Sequence, residues 1–124
     1  MKLLITMLPT ILLTAYGQLV MKWRVGFLAH KTPFEGLNLL ARIKLYFTDP
    51  YVLSAYLFAF LAGFFWIYVL EKYPVSVAFP SYMGIIFVIV LIGSTVFLHE
   101  SLSTVQLVGI GLISLGIFLA TRGV

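Results

Sequence analysis

Four long and predominantly apolar stretches, residues 3–21, 50–70, 75–98 and 105–120, take up most of this chain. A helix that crosses the hydrocarbon core of a bilayer needs about 20 such residues. The last stretch is shorter, but Leu102 and the small residues near it extend it. In lipid every backbone N–H and C=O must be satisfied within its own segment, which makes such stretches helices. The sequence therefore predicts an all-α integral membrane protein, a bundle of four transmembrane helices at about 3–22, 50–70, 75–98 and 103–121. These lie in a single transmembrane domain covering residues 1–124. Of the residues, 62% are hydrophobic and 10% charged, against roughly 45–50% and 25% in soluble domains.

Lys2, an apolar stretch and the small pair Ala15/Gly17 also fit a cleaved signal peptide. The ordered polar pattern within that stretch argues instead for a retained helix. With no cysteine, disulfides, thiolate metal sites and cysteine nucleophiles are excluded. The net charge of +4 comes from basic residues spread over loops and helix ends, where they meet phospholipid headgroups rather than nucleic acid.

The helix ends are well marked. Asp49-Pro50 is a capping residue followed by proline at the first helical position. Ser103-Thr104-Val105-Gln106 reads as a capping box, with Leu102 and Leu107 placed as a hydrophobic staple. Only Glu71, Lys72, Tyr73 and Pro74 separate the second helix from the third, which predicts a tight hairpin of antiparallel neighbours. The turn 99–102 plays the same part for the third and fourth. The one long loop holds another capping box, Thr32-Pro33-Phe34-Glu35. After it, Glu35, Asn38 and Arg42 fall on one face and Leu37, Leu40, Ala41 and Phe47 largely on the other. Residues 33–47 read either as a short amphipathic helix in the headgroup region, with Lys44 snorkelling, or as a structured connector. Lys2, Lys72 and Arg122 share one side of the membrane, against Arg24, Lys31, Arg42 and Lys44, with Lys22 at the edge. That near-balance slightly favours a cytoplasmic first loop and permits insertion in both orientations.

The first helix carries Thr6, Thr10, Thr14, Gln18 and Lys22 at a constant spacing of four. Successive members turn by about 40°, so they form a slowly winding polar line. Thr6 and Thr10 can bond their own helix carbonyls. Gln18 has more hydrogen-bonding capacity than its own helix can satisfy. Lys22 either snorkels to the surface or gives the line a cationic end suited to an anion such as phosphate. Pro9 can bend this helix. In the third helix Pro80 cannot donate to the carbonyl of Ser76; this marks either a packing kink or a site, with Ser81, Tyr82 and Gly84 following at once. Ala55, Ala59 and Gly63 in the second helix, and Gly109, Gly116 and Ala120 in the fourth, form small-residue seams suited to helix packing or a dimer interface. The acids Glu35, Asp49, Glu71 and Glu100 all fall at helix ends or in the loop. No pair is spaced for an enzyme active site, and no metal or cofactor is expected. His99-Glu100 reads as a turn stabiliser.

These residues resemble the drug/metabolite transporter superfamily in its small four-helix form. Gly17, Met21 and Lys22, Phe65-Trp66, and the Tyr73-Pro74 start of the third helix with Ala78-Phe79 are similar to the small multidrug resistance proteins. In that family a glutamate eight residues before the lysine couples drug export to protons; the matching position here is Thr14, which argues against cation–proton antiport. Gly17-Gln18-Leu19 with Lys22, Ala78-Phe79-Pro80-Ser81 and Leu98-His99-Glu100 look more like the subunits that flip undecaprenyl-phosphate-linked aminoarabinose. The likeness covers all four helices and lapses in the long first loop. It implies a non-enzymatic, multi-pass carrier of the bacterial inner membrane, acting as a homodimer or as a heterodimer with a related small subunit. Its cargo would be a polyprenyl-phosphate-linked sugar, with Lys22 pairing the phosphate, Gln18, Thr14, Ser81 and Tyr82 bonding phosphate or sugar, and Phe79 and Tyr82 lining the site. Two other functions remain open: a proton-coupled exporter using Glu71, Glu100 or His99, and an accessory subunit of a membrane glycosyltransferase or carrier.

Overall fold

The computed structural model describes residues 2–31 and 36–122. The chain forms α1 (Lys2–Lys31), α2 (Leu39–Phe47), α3 (Pro50–Lys72), α4 (Val75–Phe97) and α5 (Thr104–Arg122). Four of these, all but α2, are long and apolar enough to cross a membrane. The protein is an all-α, multi-pass membrane bundle.

Local chemistry sets the helix boundaries. The Asp49 carboxylate accepts from the amides of Tyr51 and Val52, with Pro50 in the first turn of α3. At α5 the Ser103 amide donates to the Gln106 side chain, and the Gln106 amide donates back to Ser103 Oγ. α4 ends at Phe97, and His99 beyond its C-cap has a left-handed φ of 56°. That conformation lets the Glu100 amide reach the Ser94 carbonyl, which also accepts from the Leu98 amide. α1 runs well beyond the expected end near residue 22 and stays helical through Pro9. Beyond Lys22, Leu28 is buried and Arg24 sits among the rings of Trp23, Phe27 and Tyr51. These anchors carry the helix past the edge of its apolar stretch. α4 likewise continues through Pro80, so it is an unbroken helix rather than two halves.

The first-loop helix is shorter than residues 33–47. Asn38 caps it by accepting from the Ala41 amide, while the capping box at residues 32–35, including Glu35, lies outside the described residues. α2 turns Ala41, Leu45 and Tyr46 partly inward and leaves Leu39, Leu40, Ile43 and Phe47 exposed on one face. An exposed apolar face of this kind suits immersion in lipid.

Packing centres on α1. It lies against both α3 and α4, whereas α3 and α4 touch each other only slightly. The expected antiparallel hairpin pair is thus replaced by a wedge. Tyr73 and Pro74 are both extended, so the short turn lets its helices diverge around α1. Leu3, Met7, Ile11 and Ala15 form the α1 stripe of the core, against Val69 of α3 and Ala78 and Ile86 of α4. Two close approaches tighten it. A Cβ on Gly17 would stand 3.4 Å from the Ala55 carbonyl oxygen, and one on Gly93 would stand 2.7 Å from Leu19 Cδ1. α5 packs chiefly on α4, seated at Gly84 by Ile113 and Ile117, and it contains no buried residue.

The Arg24 guanidinium and the Asp49 carboxylate form a largely buried ion pair that pins the end of α1 to the start of α3. Burial alone would push the Asp49 carboxyl up. The hydrogen bond from Arg24 and those from the Tyr51 and Val52 amides outweigh it and hold the group below its ordinary value of 3.8. Asp49→Asn preserves a competent N-cap but leaves a buried guanidinium without its anion, and is expected to cost about 3 kcal/mol of stability in detergent. Because the folded pKa is depressed, this contribution is full above pH 3.8 and is lost as pH falls through the folded value. Thermal unfolding followed against pH should show that acid loss in the wild type and not in Asp49→Asn.

Candidate functional site

Between the diverging helices lies a cleft of about 270 Å³ lined by Thr10 and Thr14 of α1, Ala59, Ala62, Gly63 and Trp66 of α3, and Phe79 and Tyr82 of α4. The spacing of these residues follows the helical repeat. Ala59, Ala62, Gly63 and Trp66 recur three and four apart, so small side chains leave open a volume that Trp66 closes at one end. Phe79 and Tyr82, three apart on α4, complete an aromatic wall. The Trp66 ring lies 4.9 Å from Tyr82 and 6.4 Å from Phe79 between centroids.

A polar contact joins this aromatic wall to α1. Thr14 Oγ1 and Tyr82 Oη are 2.7 Å apart, a hydrogen bond that ties α1 to α4 across the cleft. Thr6 does bond its own helix, donating to the Lys2 carbonyl at 2.8 Å. Thr10 does not: its Oγ1 is buried without a partner. Among the described residues no carboxylate lines this cleft.

The remaining members of the polar line diverge from it. Gln18 opens into an adjoining recess of about 180 Å³ with Gly17, Met21, Ala55 and Tyr56, which shares Thr14 and Ala59 with the cleft. Lys22 belongs to a separate recess with Trp23, Gly26, Phe27, His30, Leu98 and Glu100. Its Nζ lies 3.7 Å from Glu100 Oε1, with both side chains substantially exposed. Eight residues of helix put Lys22 about 12 Å along the axis from Thr14. Ser81 is buried and unpartnered, but in the gap between α4 and α5 beside Pro80, Gly84, Ile113 and Gly116. The structure therefore brings Thr14, Phe79 and Tyr82 together, sets Gln18 next to them, and separates Lys22 and Ser81.

The small-residue seams also divide. Ala55 is buried against α1, whereas Ala59 and Gly63 are exposed and line the cleft. Gly116 and Ala120 border the gap at Ser81, and a side chain on Gly109 would meet open space. Trp66, Ala62 and Thr10 are cleft residues that the sequence pattern left unassigned to a site. The signal for Trp66 was its place one turn beyond the Ala59/Gly63 stripe, on the same face.

The four-span bundle thus holds an aromatic cleft that no carboxylate lines among the described residues, which defines it as a multi-pass membrane protein with an interhelical cavity. Two curated proteins share sequence with the chain. The probable 4-amino-4-deoxy-L-arabinose-phosphoundecaprenol flippase subunit ArnE of Aeromonas hydrophila is 43% identical over 54 residues, which cover 44% of this chain and 46% of that protein. The protein of the same name in Aeromonas salmonicida is 44% identical over 54 residues, with the same coverage. The match spans about half the length of these relatives. No family model matches the chain, and no solved structure matches it to significance. The resemblance carried by the helix motifs is thus to the same flippase subunits, and the chain is a multi-pass inner-membrane protein.

The Thr14–Tyr82 bond should be measurable. Thr14→Val and Tyr82→Phe, combined in a double-mutant cycle of unfolding in detergent, are expected to show a coupling of about 0.5–1.5 kcal/mol. A coupling near zero would mean that the two hydroxyls do not meet in the membrane.

Proposed function

We propose that this chain is a flippase, or a subunit of one, for a polyprenyl-phosphate-linked monosaccharide used in cell-envelope glycan or lipid A modification. The observation that carries the reading is the cleft itself. Trp66, Phe79 and Tyr82 offer apolar ring faces and Thr14 offers a hydroxyl, while none of the described residues there bears the negative charge that a lipophilic cation would require. A sugar ring has apolar faces and a rim of hydroxyls, and it meets such a surface by stacking and hydrogen bonding. The sugar sits in the cleft, and Gln18 in the adjoining recess leads toward Lys22. The roughly 12 Å between Thr14 and Lys22 is spanned by a sugar, its phosphate linkage and the reach of a lysine side chain. The prenyl tail stays in lipid, outside the cleft.

The names of the two relatives support the same class of cargo. Four helices, one of them without a buried residue, enclose little on their own. Assembly with a second copy or with a related small subunit would complete the path, with α5 the natural face for it. The proton-coupled exporter reading needs a titratable group in the cleft, yet Glu71, His99 and Glu100 all lie outside it. An accessory role would leave a chain that assembles with its partner but moves no lipid.

The test is reconstitution into liposomes, alone and with a candidate partner, using a labelled polyprenyl-phosphate monosaccharide. Translocation is expected for the wild type. Trp66→Ala and Lys22→Ala should each slow it roughly tenfold, the effect of losing about 1.4 kcal/mol of binding that orients the cargo. Failure of the wild type in every combination and gradient would sink the reading. Normal transport by Lys22→Ala would remove the lysine from the phosphate site.

A further inference from the structure

Two cation–acid pairs among the described residues are built in opposite ways. Arg24–Asp49 is buried, ringed by aromatic side chains and fixed by the helix cap. Lys22–Glu100 is looser: the charged atoms are 3.7 Å apart, and the side chains are 67% and 43% exposed. A pair of that kind contributes little to stability and opens readily. It borders a recess of about 350 Å³ walled by Trp23, Phe27 and Leu98, with His30 at its edge. Apolar walls beside a lysine fit a phosphate ester of an apolar alcohol better than a bare ion. The Glu100 oxygen already stands where an anionic ligand of Lys22 would place its own.

Glu100 is held there at some conformational cost. The left-handed φ of His99 turns the chain so that the Glu100 amide bonds the Ser94 carbonyl, and the side chain then emerges toward α1. For a residue with a side chain, left-handed backbone costs roughly 1 kcal/mol, so the turn at the end of α4 is specified rather than incidental.

We infer that Glu100 is a displaceable internal anion, which occupies Lys22 in the empty carrier and yields it to the phosphate of a bound lipid. This rests on the flippase reading and adds a control element to the same site. Lys22 is kept from ordinary anions by a tethered carboxylate at high local concentration. A ligand displaces that carboxylate when its other parts, the sugar in the aromatic cleft and the first apolar units along the recess, hold it in place. Displacement releases the Glu100 contact between the α4–α5 turn and α1, so loading of the site is felt at that turn.

The experiment uses the full chain in phosphatidylcholine nanodiscs, with binding of a short-chain polyprenyl monophosphate measured by titration calorimetry. Glu100→Gln keeps the backbone bond to Ser94 and removes the charge. It is expected to bind about two- to fivefold more tightly than the wild type, an advantage that fades as salt rises. Lys22→Ala should bind weakly, and Lys22→Ala/Glu100→Gln should gain nothing over it. If Lys22→Ala weakens binding but Glu100→Gln leaves it unchanged or weaker, the exchange is wrong while the flippase reading stands. If Glu100→Gln tightens binding as expected but liposomes carrying the protein and its partners translocate no sugar lipid, the exchange stands and the flippase reading fails. Equal tightening for phosphatidylglycerol supports the exchange with ordinary lipid headgroups as its source. No binding by any variant overturns both.

Discussion

Lipid offers apolar helices no reward for leaving it, since hydrocarbon solvates Leu as well as a neighbouring helix does. Association in this bundle therefore depends on how closely α1 approaches its two neighbours. Gly17 lets α1 come against the Ala55 backbone of α3, and Gly93 of α4 receives Leu19 of α1. At these crossings dispersion contacts between well-fitted surfaces replace looser contacts with mobile acyl chains. The rest of the arrangement follows from α1 being the shared partner. With α3 and α4 each fastened to it, the space between them opens as a cleft rather than closing as a hairpin interface.

Polar groups then decide which parts of that framework are fixed and which can change. Arg24–Asp49 closes the α1–α3 contact at one end with a buried charge pair whose members also serve as helix cap and aromatic-cage occupant. Breaking it would strand a charge, so that end is fixed. Among the described residues, the side-chain hydrogen bond between α1 and α4 within the bundle is a neutral hydroxyl pair, Thr14–Tyr82, and beside it Thr10 Oγ1 is buried with nothing to bond. A single neutral hydrogen bond is worth about 1 kcal/mol, and an unmet buried hydroxyl costs a comparable amount. The cleft is thus the least committed part of the core, and a cargo that supplies hydrogen-bonding groups there would repair a deficit as it binds.

The sequence made the four spans legible because apolar length is a local property, and it made the caps at Asp49 and Ser103 legible because capping chemistry is local too. The overrun of α1 to Lys31 was not legible, since it depends on Tyr51 and Asp49, which come from a different helix. The divergence of α3 from α4 was hidden for a similar reason: a short turn constrains where two helices begin, not the angle at which a third wedges between them. Within the site, Thr14, Phe79 and Tyr82 could be read from the polar line and the motif at the start of α4. Trp66 could not be assigned to the same cleft from spacing alone, because that required knowing which face of α3 meets α1. Ser81 shows the converse: adjacent to Tyr82 in sequence, it is turned by about 100° of helix to face α5 instead.

That 100° separates two environments that a linear motif runs together, and it bears on what the missing acid means. A carboxylate at position 14 would stand beside Tyr82 and Trp66, where a cation could be held against the rings. With threonine there, the same geometry retains the aromatic wall and the hydroxyl partner but loses the charge. A hydrophobic cation entering this cleft would give up its hydration for ring faces alone, whereas a neutral sugar would exchange water for hydroxyl groups of similar capacity. On the proposed flippase reading, the anionic part of a sugar-phosphate lipid needs no place in the cleft, because Lys22 lies farther along the same helix. One residue type at one position would then divide the recognition of head and linkage between two sites on α1, and a cargo would have to be long enough to reach both before engaging either fully.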